Sequence, residues 1–169
     1  MNKDRTINFE TMAIAERHFE SLNRYSVSEI RQIFSDLWPI FEQMAKEKEC
    51  SLSPECISNI NKTISEAFEK ESSEFIAVDS WRSFVDECGA YITDDPEHVF
   101  AWIFSSIYWN HVTSFKFSTA LLFCSALRVQ HGFTPIFVAP ENMAAFLHSL
   151  AASGPPAHDG QTFYLDRYS

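Results

Sequence analysis

An all-α fold is predicted by three features of the chain. Helix-start signatures recur along it, the apolar residues between them fall at helical spacing, and a glycine closes its most apolar stretch. The signatures are Ser26-Val27-Ser28-Glu29, Ser53-Pro54-Glu55 and Asp95-Pro96-Glu97. In the first, a Ser oxygen and a Glu carboxylate three residues later satisfy orphan backbone donors of a first turn. In the other two, a capping side chain precedes a Pro suited to the first helical position and an acid that complements the helix dipole. At 169 residues, with no repeat or linker, one domain spanning 1–169 is expected. Hydrophobic residues at 46%, among them 16 Phe, exclude a disordered chain.

The elements follow in order. A first helix is expected over Phe9 to Asn23, with Met12, Ala15, Phe19 and Leu22 on one side. The capping box at Ser26 opens a second, whose stripe is Ile30, Ile33, Phe34, Leu37, Phe41 and Met44; Pro39 lies inside it and is expected to kink or split it. Ser53 opens a third, with Ile57, Ile60, Ile64 and Phe68 on one face. Phe75 to Val78 reads as a short extended piece, after which Asp79 or Ser80 caps a helix carrying Trp81, Phe84 and Val85. Glu97 to about His111 is apolar nearly all round, which places it in the core or at an interface. Phe117 to His131 is closed by Gly132, and Phe133 to Val138, β-branched and Pro-interrupted, reads as one strand of a hairpin. Pro140-Glu141-Asn142 opens a last helix that stops at Gly154.

Charge is unevenly placed. Residues 42–97 hold 14 acidic and 5 basic side chains, a net of −9 in a chain whose total is −10. Such a field repels nucleic acid and attracts basic surfaces, so direct nucleic-acid binding is not expected and an acidic face for a basic protein partner is. Glu66, Glu69, Glu71 and Glu74 are the candidate partner-binding residues. The longest apolar stretch, Val99 to Trp109, is about half a membrane span, and the N-terminus has no apolar leader, so no membrane association is expected. Cys50, Cys56, Cys88 and Cys124 form no CxxC pair, and the five residues between Cys50 and Cys56 are not a zinc-knuckle spacing. They read as ordinary reduced thiols in a cytoplasmic protein with no metal site.

One stretch points to a family. Tyr108-Trp109-Asn110-His111 ends an apolar helix, a loop leads into the next helix, and Gly132-Phe133-Thr134-Pro135-Ile136-Phe137-Val138-Ala139-Pro140-Glu141-Asn142 follows. This order resembles the Fic/Doc family, in which a loop of pattern HPFxxGNGR or HxFxxxNKR joins two such helices. The resemblance covers residues 98–152 and implies a Fic-like helical bundle with a short extended segment or β-hairpin. In that family the His is the general base, backbone N–H groups at the helix start cradle nucleotide phosphates, an acid holds Mg²⁺ and an Arg neutralises phosphate charge.

The loop itself reads His111-Val112-Thr113-Ser114-Phe115-Lys116-Phe117-Ser118-Thr119. Of the motif only His111 keeps its place, and in a register anchored on Thr119-Ala120-Leu121 that place falls to Asn110. No carboxylate lies between Glu97 and Glu141, and two Phe replace the glycines that let phosphate approach the backbone. The expected function is that of a Fic-like pseudoenzyme that has lost AMP transfer, takes no cofactor and binds another protein. One alternative is a diverged nucleotidyl- or phosphotransferase with ATP and Mg²⁺, using His111 as base and Lys116, Ser118 and Thr119 as anion ligands. Another is an acidic inhibitor or antitoxin-like protein whose 42–97 region docks on a basic, nucleic-acid-binding partner.

Overall fold

A computed structural model describes residues 7–88, 96–146 and 148. Its helices are α1 (Phe9–Phe19), α2 (Val27–Lys46), α3 (Pro54–Ala67), α4 (Val78–Cys88), α5 (Pro96–Ser106) and α6 (Lys116–Gln130). A π-helical turn, Ile107–His111, follows α5, and a 3-10 turn, Pro140–Asn142, leads into helical residues 143–146. The fold is all-α, with no strand among the described residues. None of the described helices is long and apolar enough to cross a membrane.

Helix α6 is the axis of the molecule. Every residue from Phe117 to Arg128 is buried, including Ser118, Thr119 and Ser125. It packs against α1, α2, α3, α5 and the π-turn, so the apolar stripes of those elements all end on it. The stripe of α3 is complete: Ile57, Ile60, Ile64 and Phe68 are fully buried. Aromatic rings knit the interior, Phe68 touching Tyr25, Phe34 and Phe115 at centroid distances of 5.6, 5.4 and 5.3 Å.

The helix starts are as their side chains dictate. Ser26 and Glu29 form both halves of the capping box, and the Ser53 hydroxyl accepts the Cys56 N–H ahead of Pro54. The ends share one device. After α1, α2, α3 and α6 the chain turns through a left-handed residue, at Ser21 (φ 52°), Lys48 (57°), Glu69 (57°) and Gly132 (87°). The following N–H then reaches back to the carbonyl five residues earlier: Leu22 to Arg17, Glu49 to Met44, Lys70 to Ser65 and Phe133 to Arg128, at 2.8–3.1 Å. These are Schellman closures, which satisfy the last carbonyls of each helix. Three of the four place a residue with a Cβ where glycine is favoured.

Several expectations are corrected. The first helix ends at Phe19, because the turn at Ser21 stops it before Asn23, although Leu22 is still buried. Helix α2 runs unbroken through Pro39, which lies on its exposed side, where an unpaired carbonyl can be solvated. Helix α4 starts at Val78, with the first-turn bond running from Trp81 N–H to Ala77 O, so Asp79 and Ser80 sit inside its first turn. The helix of the 97–111 stretch is α-helical only to Ser106.

Phe133 to Val138 is extended but forms no hairpin. Its backbone is held by side chains instead: Arg128 Nε donates to Thr134 O at 2.7 Å, Ile136 N–H to Ser125 Oγ at 3.1 Å, and Asn8 Nδ2 to Val138 O at 3.1 Å. The 3-10 turn starts at Pro140 as expected, and the predicted helix end at Gly154 lies outside the described residues.

The four closures respond differently to substitution. A Cβ at Gly132 meets no atom within 4 Å, so Gly132→Ala is penalised by its φ alone and lowers stability by about 1 kcal/mol. Lys48→Gly relieves the same strain, less the entropy glycine adds to the unfolded chain, and raises stability by about 0.5 kcal/mol. Denaturant midpoints moving in opposite directions at unchanged slope are the expected result.

Candidate functional site

The start of α6, where the Fic/Doc resemblance places a nucleotide, is built with side chains from α1 and its turn and from α3. Phe115 caps α6 in the left-handed region (φ 48°, ψ 39°), and its N–H is taken by Glu20 Oε1 of the α1 turn. Asn61 of α3, fully buried, donates to Ser114 O at 2.8 Å and Thr119 Oγ1 at 3.0 Å, while its Oδ1 accepts the Ser73 N–H at 2.8 Å. That one amide joins α3, the approach loop, α6 and the 71–77 segment.

Glu16 is the other acid here. Its carboxyl is fully buried and faces the Ser118 hydroxyl and N–H, which favour its charged form. Both Glu16 oxygens and Ser118 Oγ lack a well-formed hydrogen bond to a protein partner. Burial, reinforced by Glu20, raises the Glu16 pKa to about 8. Burial and Glu16 together also raise that of Tyr108.

The sequence-predicted anion ligands do not converge. The Lys116 ammonium lies 5.7 Å from the centroid of the Tyr108 ring, Ser118 faces Glu16, and Thr119 is held by Asn61. They are one and two residues apart, so a helix turns them toward different neighbours. Phe115 and Phe117, at most 1% exposed, fill the space the family's glycines leave open.

His111 is 1% exposed. Its Nδ1 lies 2.9 Å from Ile76 O and its Nε2 3.2 Å from Ser106 Oγ. A carbonyl only accepts, so Nδ1 carries the proton and Nε2 accepts from the Ser106 hydroxyl. The ring stacks on Phe75 at 4.9 Å and meets the edge of Trp81 at 5.1 Å. Burial lowers its pKa, and the Ile76 bond opposes this. Ile76 N–H also donates to His111 O, at 3.1 Å. The residue expected as a base is thus a neutral staple, fastening an irregular segment to the π-turn with both nitrogens engaged.

An open concavity among the described residues lies elsewhere. A groove of about 890 Å³ runs between the end of α2, α3 and the 72–78 segment, with Glu49, Glu55 and Glu74 on its walls against Lys62. Of the four acids singled out in the sequence, Glu74 lines it. Glu66 lies 4.0 Å from Lys62 Nζ, Glu69 is bonded to Arg24 at 3.0 Å, and Glu71 is exposed. Glu49 and Glu55, which sequence reasoning had not selected, belong to the groove because the turn at Lys48 brings the end of α2 beside the start of α3. No cluster of three or more His, Cys, Asp or Glu suited to a metal occurs among the described residues. Compared with protein-family models, curated proteins and solved structures, the chain matches none.

The buried Glu16 gives stability a pH dependence of defined sign. Its folded pKa of about 8 exceeds the ordinary carboxyl value of 4.5, so the folded state holds the extra proton between those limits. Its contribution is full below pH 4.5 and is lost as pH rises through about 8. The slope is at most about 1.4 kcal/mol per pH unit. Glu16→Gln removes that slope and is more stable than the parent at the alkaline end, by roughly 1–3 kcal/mol. Chemical denaturation across this range measures it.

Proposed function

We propose that the chain is a binding protein on a Fic-like helical scaffold that no longer transfers AMP, and that its acidic groove receives a basic segment of a protein partner. The observation that carries this reading is the groove itself, which sets three carboxylates against one ammonium within the most acidic third of the chain. Charge of one sign in a concave site focuses the field and speeds encounter with the opposite sign. Phe75, Val78 and Met44 add apolar lining for the stems of Lys or Arg side chains.

The loss of transfer chemistry is supported by the start of α6. The backbone N–H that a phosphate would use is held by the chain's own Glu20, and Glu16 stands behind it. The Glu20 carboxylate on that N–H and the buried Glu16 carboxyl behind it both disfavour a phosphate there. The acidic-inhibitor reading shares this face, and a partner that uses the same basic segment to bind nucleic acid fits the groove equally well.

Titration with a lysine-rich peptide is expected to give binding that weakens steeply with added salt. Replacing Glu49, Glu55 and Glu74 together by Gln is expected to weaken it about tenfold, at roughly 0.5 kcal/mol per exposed charge. Equal affinity of the parent and the triple variant would sink the docking reading. Transfer of labelled AMP from ATP and Mg²⁺ that depends on His111 would sink the binding-only reading.

A further inference from the structure

One wall of the groove is held in place by a histidine. Residues 71–77, which bring Ser72, Ser73, Glu74 and Phe75 to the groove, form no helix and are exposed or half-buried throughout. We propose that His111 is a proton-operated latch on this wall: neutral, it holds the 71–77 segment closed, and on taking a proton in mild acid it loosens the segment and releases the basic ligand. The inference rests on the reading of the groove as a docking site and adds its regulation.

The latch has a fixed side and a movable side. Ile76 is bonded to His111 twice, its N–H donating to the His111 carbonyl at 3.1 Å and its carbonyl accepting from Nδ1 at 2.9 Å. The imidazole lies flat on Phe75, at 4.9 Å and 8°, and Phe75 lines the groove. On the other side Nε2 is held by Ser106 Oγ at 3.2 Å and the ring meets Trp81 of α4 at 5.1 Å. His111, Ser106 and Trp81 are at most 2% exposed and belong to the interior, so the segment is the side that gives. Apart from Ile76 it is held at Ser73, whose N–H goes to Asn61 and whose hydroxyl accepts the Thr113 N–H at 2.8 Å. It joins α4 through Ala77 (φ 55°), a left-handed conformation that an alanine is not reluctant to leave.

A proton on the ring upsets its surroundings. Nε2, an acceptor in the neutral ring, becomes a donor, and the Ser106 hydroxyl must turn its own hydrogen away. No counter-ion stands against the charge among the described residues. The ionisable side chains of the segment and of α4 (Glu71, Glu74, Asp79, Arg82, Asp86 and Glu87) are exposed, Lys116 of α6 lies over Tyr108, and Arg128 lies over Phe100. The Phe75 face attracts a cation, but burial outweighs it and holds the ring below its ordinary pKa. Water reaches the imidazole when the segment moves, so the charged form favours the open wall and the neutral form the closed one. The sign follows: the closed state's advantage is full above about pH 6.5 and shrinks, by up to about tenfold per pH unit, as pH falls toward the lowered value. The same charge repels a basic ligand, which acts in the same direction.

The test begins with the full chain and no ligand. Nuclear magnetic resonance follows the His111 ring and the exchange of the Ile76 amide from pH 7.5 to 5.0. The Ile76 protection factor is expected to fall about tenfold over this range in the parent. It is expected to stay within about twofold in His111→Gln, whose amide offers a donor and an acceptor but takes no proton. A lysine-rich peptide is then titrated into both. The parent is expected to bind it at least about threefold more weakly at pH 5.0 than at pH 7.5, after division by the change in the variant, which reports the groove carboxylates. A parent protection factor that does not change with pH would overturn the latch, as would an equal fall in the variant. If the variant is unfolded the parent decides alone, since its ring and its Ile76 amide must change at one midpoint. Peptide affinities that fall equally in both proteins would overturn control of the groove. A peptide bound by neither protein at any pH counts against the docking reading instead, and the amide still decides the latch.

Discussion

A helix buried on every side has no water to turn to, so the polar groups on α6 and at its ends draw their partners from inside the protein, the Ser114 and Ser118 hydroxyls excepted. The partners come from elsewhere in the fold, and each fixes a second element in doing so. Thr119 is met by Asn61, which also holds the approach loop and Ser73. The Phe115 N–H is met by Glu20 and so ties the end of α1 to the start of α6. Ser125 and Arg128 turn outward to carry the backbone of the 133–138 segment, and Gln130 clasps the turn between α2 and α3. The irregular parts of the chain are ordered because α6 needs them.

Such a design leaves little latitude at the site where transfer chemistry was expected. A phosphate cradle needs free N–H groups and space, and here the Phe115 N–H is spent on Glu20 and Phe115 and Phe117 are packed into the interior. Glu16, buried without a bonded partner, keeps a proton to avoid carrying charge in that interior. The acidic groove, by contrast, carries its charge on exposed side chains, Glu49, Glu55 and Glu74, while Met44 and Phe75 beneath it pack against the core.

How much of this was legible in the sequence depends on whether the cause was local. The starts at Ser26 and Ser53 were, since a capping side chain and its N–H lie three residues apart. The stripe of α3 was, since spacing alone puts Ile57, Ile60, Ile64 and Phe68 on one face. The ends at Ser21 and Lys48 were not, because the residues that adopt the left-handed turn are not the glycine that advertises it. Nor could spacing show that Phe133 to Val138 is satisfied by side chains of α6, which takes away any need for a second strand. His111 was singled out by its place in a motif, but its partner Ile76 lies 35 residues away.

The position of α6 along the chain has a consequence for how the protein is made. Helices α1 and α2 can pair as soon as both leave the ribosome, but α3 finds its chief neighbour only when residues 116–130 have followed. Until then the Ile57, Ile60 and Ile64 face is only partly covered, since Phe68 has Tyr25 and Phe34 to pack on while α6 is still to come, for at least fifty residues of further synthesis at about 5–20 residues per second. The nascent chain spends those seconds with an apolar stripe open to other proteins. The acidic residues that flank it, which in the finished molecule surround the groove, keep that waiting surface hydrated and apart from other chains emerging nearby.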